Sequence, residues 1–376
     1  MDQNNYIRRL GFFLAGVLLI LVSSAADSAV EPIKLGVVGV YSGKLAPFGI
    51  SGMRGAQLAV EAINSQGGIL GRRIELFVED DTCKPEKAIT KAAKMVANGV
   101  VGVIGHTCSG ATQAALDLYT DAKIIVISPS ATNPTLTQSG NHPNFFRTIA
   151  PDDAQAKIQV DFALEQLRSG KIAVIHDRGV YGKGLAEAVK ILVEKSRRAE
   201  VVLYAGLSPA SATYAEMATK IKLAQADSVI YGGYHPGAVQ IVSHLRRMKL
   251  NTVFISGDGI KEDSFIAGAG KHAEGVYATA PKDTSKLPES IRALDAYRET
   301  FQSEPGPFYL NAYAAILVLV NAVQKAGATD YTAVLEKLKT EFVQTPLGKI
   351  GFDRKGDPKG VGFSVYQVRK GVFIEQ

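Results

Sequence analysis

The residues with chemistry to offer cluster at His106-Thr107-Cys108-Ser109-Gly110-Ala111-Thr112. A serine close to a histidine raises hydrolysis, with Ser109 as nucleophile and His106 as base. The strand-to-helix elbow that presents such a serine needs Gly at position 107, which is Thr, and neighbours within one turn seldom align a base with its nucleophile. A helix opening here would instead aim free N–H groups and the positive end of its dipole outward, with Ser109 and Thr112 adding hydroxyl donors. That is a small anion site, and a carboxylate fits it. Ser109 also has an ordinary reading as a helix N-cap, and His106 one as a structural histidine.

The flanking residues supply the elements. Val100, Val101, Val103 and Ile104 read as a strand buried on both faces, and Ala111–Tyr119 has the apolar spacing of a helix packed on it. The logic repeats at Lys123–Ser128, a second strand, followed by Pro129-Ser130-Ala131-Thr132-Asn133-Pro134, small residues whose backbone a ligand can approach closely. Both loops open at the same sheet edge, where ligands of open α/β folds bind.

Strand and helix alternate from the start. Ile33–Val40 is a strand, Tyr41–Gly49 a loop, Ser51–Asn64 a helix, Ile74–Glu79 a strand, and Pro85–Asn98 an amphipathic helix with Pro at its start. This predicts a doubly wound parallel sheet. The pattern restarts near Arg147–Pro151: a helix from Pro151 through Leu167, strand Lys171–His176, helix Gly182–Glu194, then Val201–Ala205, Tyr214–Leu223, Ser228–Tyr231, Pro236–Met248 and Val253–Ser256. Two α/β units of similar size mean two lobes. After Tyr277–Pro281 come helices Ser290–Ser303, Phe308–Lys325 and Thr332–Thr340, then two strand-like pieces, Lys349–Phe352 and Gly362–Val368, around an Asp353–Pro358 turn. A tail returning to both lobes makes three crossings, which is a hinge.

Composition narrows the function. With 376 residues, 46% of them hydrophobic, the chain can fill two cores. Its net charge of +6 is spread among acidic residues, so nucleic acid is not the default partner. No Gly-x-Gly-x-x-Gly or Walker loop follows the first strand, no cluster has metal-ligand spacing, and no cofactor is called for. Residues 1–29 read as a secretory signal: Arg8 and Arg9 precede the apolar run Leu10–Val22, and small residues follow, with cleavage after Ala26 or Ala29. No later segment is apolar enough to span a membrane. An exported protein results, most simply in a bacterial periplasm. In that compartment its two cysteines, Cys83 and Cys108, are expected to pair, closing 25 residues of sequence and contributing on the order of 3.5 kcal/mol in the chain-entropy model. A reactive or metal-bound thiol would need further ligands nearby.

Taken together, LGVVGVYSG, Gly67-Gly68-Ile69, DDTCKPEKA, VIGHTCSGAT, ISPSATNP, VIHDRGVYGKG, YGGYHPG and SGDG closely resemble the type I periplasmic solute-binding proteins of ABC transporters, and among them the Leu/Ile/Val (branched-chain amino acid) binding proteins. The likeness runs in order through the whole mature chain. It implies a two-lobed α/β fold with three hinge crossings, each lobe a doubly wound, mainly parallel sheet: residues 30–149 plus 282–344, and 150–281 plus 345–376. It implies a binding protein and not an enzyme, closing on an amino acid and delivering it to an inner-membrane permease, as a monomer.

Site residues carry over position by position. Cys108 and Ser109 match the family's Cys-Ser pair, with Ser109 on the carboxylate and Cys108 bridged to Cys83. Ser130 contributes backbone contacts, and Thr132 backbone and hydroxyl contacts. Phe48 packs on the ligand side chain, Tyr181 and Tyr234 arrive from the second lobe, Asp258 takes the ammonium, and Phe308 lines the side-chain pocket. Three positions depart from the family pattern: Asp258 stands where close relatives carry Glu, Thr107 where a bulky apolar residue precedes the Cys, and Phe48 where Tyr or Trp is usual. These departures leave open an amino acid with a larger, aromatic or more polar side chain; the alternatives on the same scaffold are an amide, urea or aromatic carboxylate ligand, and a sensing role.

Overall fold

The computed structural model describes residues 31–207 and 214–376. The expected export signal lies outside the described residues. The first half of the chain builds β1 (Ile33–Gly39), α1 (Ala46–Ser65), β2 (Ile74–Asp80), α2 (Pro85–Asn98), β3 (Gly102–Gly105), α3 (Ser109–Asp121), β4 (Ile125–Ser128), α4 (Thr135–Gln138) and β5 (Phe145–Arg147). These strands form one parallel sheet in the order β2-β1-β3-β4-β5. The order reverses beside β1, so the loops after β1 and β3 splay apart at the sheet's C-terminal edge and leave a crevice there.

A second run follows: α5 (Asp152–Asp161), β6 (Lys171–His176), α6 (Val180–Ser196), β7 (Glu200–Gly206), α7 (Tyr214–Leu223), β8 (Ser228–Gly232), α8 (His235–Arg247), β9 (Val253–Ser256), α9 (Asp263–Ala269) and β10 (Tyr277–Pro281). The helix read through Leu167 is α-helical only to Asp161 and continues as a π-turn to Gln166. The chain then makes α10 (Pro288–Phe301), α11 (Tyr309–Ala326), α12 (Tyr331–Thr340), the short strands β11 (Val343–Thr345), β12 (Gly348–Phe352) and β13 (Pro358–Lys359), and finally β14 (Phe363–Arg369) and β15 (Val372–Glu375). The second sheet runs β15-β14-β10-β9-β8-β6-β7, with β14 alone running against the others.

The returning segments decide the packing. Ala312, Ala315, Ile316 and Leu319 of α11 pack with α1 on one face of the first sheet, while Ala92 and Met95 of α2 and Leu116 and Tyr119 of α3 cover the other. Each fully buried Leu, Ile or Met side chain among them contributes about 1.5–3 kcal/mol. Leu347, Ile350 and Phe352 belong to the same first-lobe core, and β12 pairs with β11 and β13 in a small sheet of its own. The two terminal strand-like pieces therefore lie in different sheets. The second sheet carries its own two cores, one on each face. Where the chain passes between sheets the passages are tied together: Thr148 and Asn311 exchange two side-chain bonds of 2.8 Å, and Lys282 N–H donates to the Gly362 carbonyl at 3.1 Å.

No single helix among the described residues is long and apolar enough to cross a membrane.

Candidate functional site

The loop read over Tyr41–Gly49 is shorter than expected, because α1 already starts at Ala46. Pro47 sits in its first turn, where a missing N–H costs nothing, and Phe48 follows it into the helix. Phe48 is buried with its ring 5.8 Å from that of Phe308. Phe308 precedes α11 as its cap in a left-handed backbone, φ 65°, an uncommon conformation for an aromatic residue.

At the end of β3, Cys108 is the cap residue of α3 and Ser109 its first helical residue. Ser109 does not cap its own helix. Its Oγ accepts the Asn133 N–H from the neighbouring loop at 3.3 Å, and Cys108 is joined to Cys83, fixing the start of α3 to the loop after β2. His106 is fully buried, with Nδ1 2.6 Å from Asp81 and Nε2 3.1 Å from the Tyr119 hydroxyl. Both ring nitrogens are thus engaged away from Ser109, and the two residues form no nucleophile–base pair. In the next loop the Ser130 hydroxyl donates to the Thr107 carbonyl at 2.8 Å, while the buried Thr132 hydroxyl turns to the Asp152 carboxylate.

That loop is held by a residue the sequence reading used only to mark a crossing. Arg147, fully buried, donates to the Ala131 and Asn133 carbonyls at 3.1 and 2.8 Å, to the Thr137 hydroxyl at 2.6 Å and to Asp357 at 2.7 Å. Asp357 comes from the Asp353–Pro358 turn.

The second sheet contributes from its own C-terminal edge. Tyr181 stands in the first turn of α6, Tyr234 caps α8, and Asp258 follows β9. Asp258 is buried. Its Oδ1 accepts the Tyr181 hydroxyl at 2.8 Å and Gln155 Nε2 at 3.2 Å, and burial pushes its carboxyl up to about 6 despite those bonds. Gln155 belongs to α5, as does Asp152, whose fully buried carboxyl has the Thr132 hydroxyl as its hydrogen-bond partner and is pushed well above the usual carboxylate range by burial and by the neighbouring Asp258 charge. Neither was singled out from sequence beyond a helix start, since a Pro-Asp-Asp opening carries that meaning locally.

These parts converge. Phe48, Cys108, Ser109, Ser130, Tyr181, Tyr234, Asp258 and Phe308 all border one cavity, together with Val40, Thr107 and Gly259. Thr132 stands behind the wall, not on it. The rings of Tyr181 and Tyr234 lie 5.2 Å apart, and Tyr234 approaches Phe48 across the cleft at 6.5 Å. The enclosed space is about 20 Å³, little more than room for one water. A wider groove of about 400 Å³ adjoins it, with Asp258 and Phe308 on both. The lobes touch directly as well: Asn133 Nδ2 of the first donates to the Val180 carbonyl of the second at 2.7 Å. Chemically the cavity has a donor pole at the start of α3, an anionic pole at Asp258 and aromatic walls. Among the described residues no group of three or more His, Cys, Asp or Glu side chains is arranged to hold a metal ion.

Two doubly wound sheets whose C-terminal edges face each other across such a cavity define a two-lobed ligand-binding protein. The chain belongs to the periplasmic binding protein family, whose model matches residues 32–372. It is 36% identical over 342 residues to the leucine-, isoleucine-, valine-, threonine- and alanine-binding protein of Pseudomonas aeruginosa, covering 91% of each chain. Among solved structures it is similar to a leucine-binding protein from Thermotoga maritima (TM-score 0.85, 23% identity, covering 92% of this chain and 97% of the other). It is also similar to a branched-chain amino acid transporter substrate-binding protein from Streptococcus pneumoniae in complex with isoleucine (TM-score 0.80, 28% identity, covering 92% and 100%).

Proposed function

We propose that this protein captures an α-amino acid with a branched or other hydrophobic side chain between its lobes and hands it to an inner-membrane ABC permease. The observation that carries the reading is the pairing of poles. A zwitterion needs hydrogen-bond donors for its carboxylate and an anion for its ammonium, and the start of α3 faces Asp258 across a cavity walled by Phe48, Phe308, Tyr181 and Tyr234. Charge-assisted hydrogen bonds of this kind contribute about 1.5–3 kcal/mol each. The ligands in the names of the relatives support the same class. Ser109 and the free N–H groups of α3 take the carboxylate, Ser130 adds loop contacts, and Asp258, oriented by Tyr181 and Gln155, takes the ammonium.

Only about 20 Å³ is enclosed, so the ligand enters a more open form and the lobes close over it. Ligand contacts from Tyr181 and Tyr234 then favour the closed form, which the permease recognises. Residues 1–29 direct export to the periplasm, and the protein works there as a monomer, by binding and not catalysis.

Calorimetric titration with leucine and with 4-methylpentanoate, which lacks the ammonium, tests the reading. Leucine binds and the acid does not; binding of the acid alone moves the protein to carboxylate ligands. Asp258→Asn weakens leucine binding at least tenfold, and unchanged affinity removes Asp258 from the ammonium site.

A further inference from the structure

His235 is a titratable side chain that ligand binding does not use, and it lies where the two lobes meet. It is the first residue of α8, in the second lobe, and it is buried. What covers it belongs to the first lobe. Its ring stands 5.8 Å from the ring of Phe48 in α1, and a ring nitrogen donates to the carbonyl of Lys44, in the loop after β1. His235 is not among the residues that border the enclosed cavity. Its contacts therefore join lobe to lobe, and both are lost when the cleft opens and leaves the imidazole in water.

The two forms then differ in their affinity for a proton on that ring. In the closed form the ring is removed from water, which disfavours its charged state. It also sits in the first turn of α8, at the positive end of the helix dipole, with no acidic residue in that turn to offset it. The charged groups facing it from the other elements are Lys44, from the loop after β1, and Glu262, from the segment before α9. The Lys44 ammonium opposes the proton, while the Glu262 carboxylate and the Lys44 carbonyl favour it. Glu262 is itself engaged by the Ser264 N–H at 2.6 Å. Burial outweighs the rest and holds the imidazole below its ordinary range.

We infer that His235 is an acid-sensitive latch between the lobes: neutral, it packs on Phe48 and donates to Lys44 in the closed form, and protonated it favours the open form, which releases the ligand. The inference rests on the closure of two lobes described above and not on which ligand they hold. A neutral imidazole still carries the one N–H that Lys44 accepts. The shift is limited by the difference in proton affinity between the forms. With an ordinary imidazole value of about 6.5 in the open form, a closed form that never binds the proton loses about thirtyfold in apparent ligand affinity at pH 5. Asp258 acts on affinity in the same direction through the ligand's ammonium, so the test separates the two.

The first measurement needs no ligand. Gly110 in α3 and Val180 in α6 face each other across the cleft, and a Cβ placed on Gly110 would lie 3.7 Å from that of Val180, the separation usual in a disulfide. Oxidised Gly110→Cys/Val180→Cys holds the mature protein closed, and Gly110→Ser/Val180→Ser leaves it free. NMR titration of the His235 imidazole gives a lower midpoint in the locked protein; a difference smaller than about 0.5 pH units overturns the inference, whatever the ligand proves to be. The second measurement is leucine affinity at pH 7.5 and pH 5 in the wild type and in His235→Gln, which keeps an N–H donor but takes up no charge. Affinity falls more steeply in the wild type, by about threefold or more, and a smaller difference overturns the latch. A wild type that binds no leucine at pH 7.5 counts against the amino-acid reading alone, and the locked protein then decides for or against the latch. The locked protein also decides if His235→Gln does not fold.

Discussion

A carboxyl group buried between two lobes reports its environment through its proton. Asp258 is held up to about 6, against about 3.9 for an unfolded aspartate, so between these values the folded chain binds the proton more tightly. The stability this confers on the ligand-free protein is complete below pH about 4 and is lost as the pH rises through about 6, a change of about 3 kcal/mol. Chemical denaturation across that range shows the decline, and Asp258→Asn removes the Asp258 share of it. Leucine affinity runs the other way. The ammonium needs an ionised partner, so binding measured at pH 5 is weaker than at pH 7.5. The residues were legible in unequal measure: Ser109 and Asp258 could be placed at strand ends from sequence, whereas the burial of Asp152 could not, because nothing in a Pro-Asp-Asp helix start says what will cover it.

At the scale of elements, the binding loops are set by crosslinks from distant chain. The Arg147–Asp357 pair fastens the loop after β4 through two of its carbonyls. Breaking a buried pair leaves an uncompensated charge, so Asp357→Ala lowers stability by about 3–5 kcal/mol in urea denaturation and weakens ligand binding as the loop loosens. The Cys83–Cys108 bridge does the same for the start of α3. Replacing both cysteines with serine lowers stability by about 3 kcal/mol, measured against the oxidised wild type. Most element cores were readable from periodicity; Pro85–Asn98, Lys171–His176 and Val253–Ser256 match the structure end to end. The ends shifted where local chemistry is permissive, as at Pro47, whose ring fits a helix's first turn as readily as a loop.

For the molecule as a whole, the question is how firmly the lobes stay together. The Asn133–Val180 bond links the loop after β4 to the start of α6 across the cleft. A single such bond is worth about 1 kcal/mol, so Asn133→Ala shifts the balance toward the open form and lowers apparent ligand affinity about fivefold. Small-angle scattering follows the same equilibrium: the radius of gyration shrinks on adding leucine to the wild type and does so at higher leucine concentration in the variant.

The sequence by itself determined the α/β alternation, the two units, the edges at which loops gather and the pairing of its two cysteines, because each follows from local periodicity, turn chemistry or composition. In the folded chain eight of the nine residues expected at the site border one cavity. Tertiary structure alone decided that β12 joins the first lobe while β14 completes the second sheet, that Asp357 meets Arg147 across 210 residues, and that Asp152 lies buried against the Thr132 hydroxyl. Contacts between residues so far apart depend on how the whole chain returns upon itself, and no window of neighbouring residues carries that information.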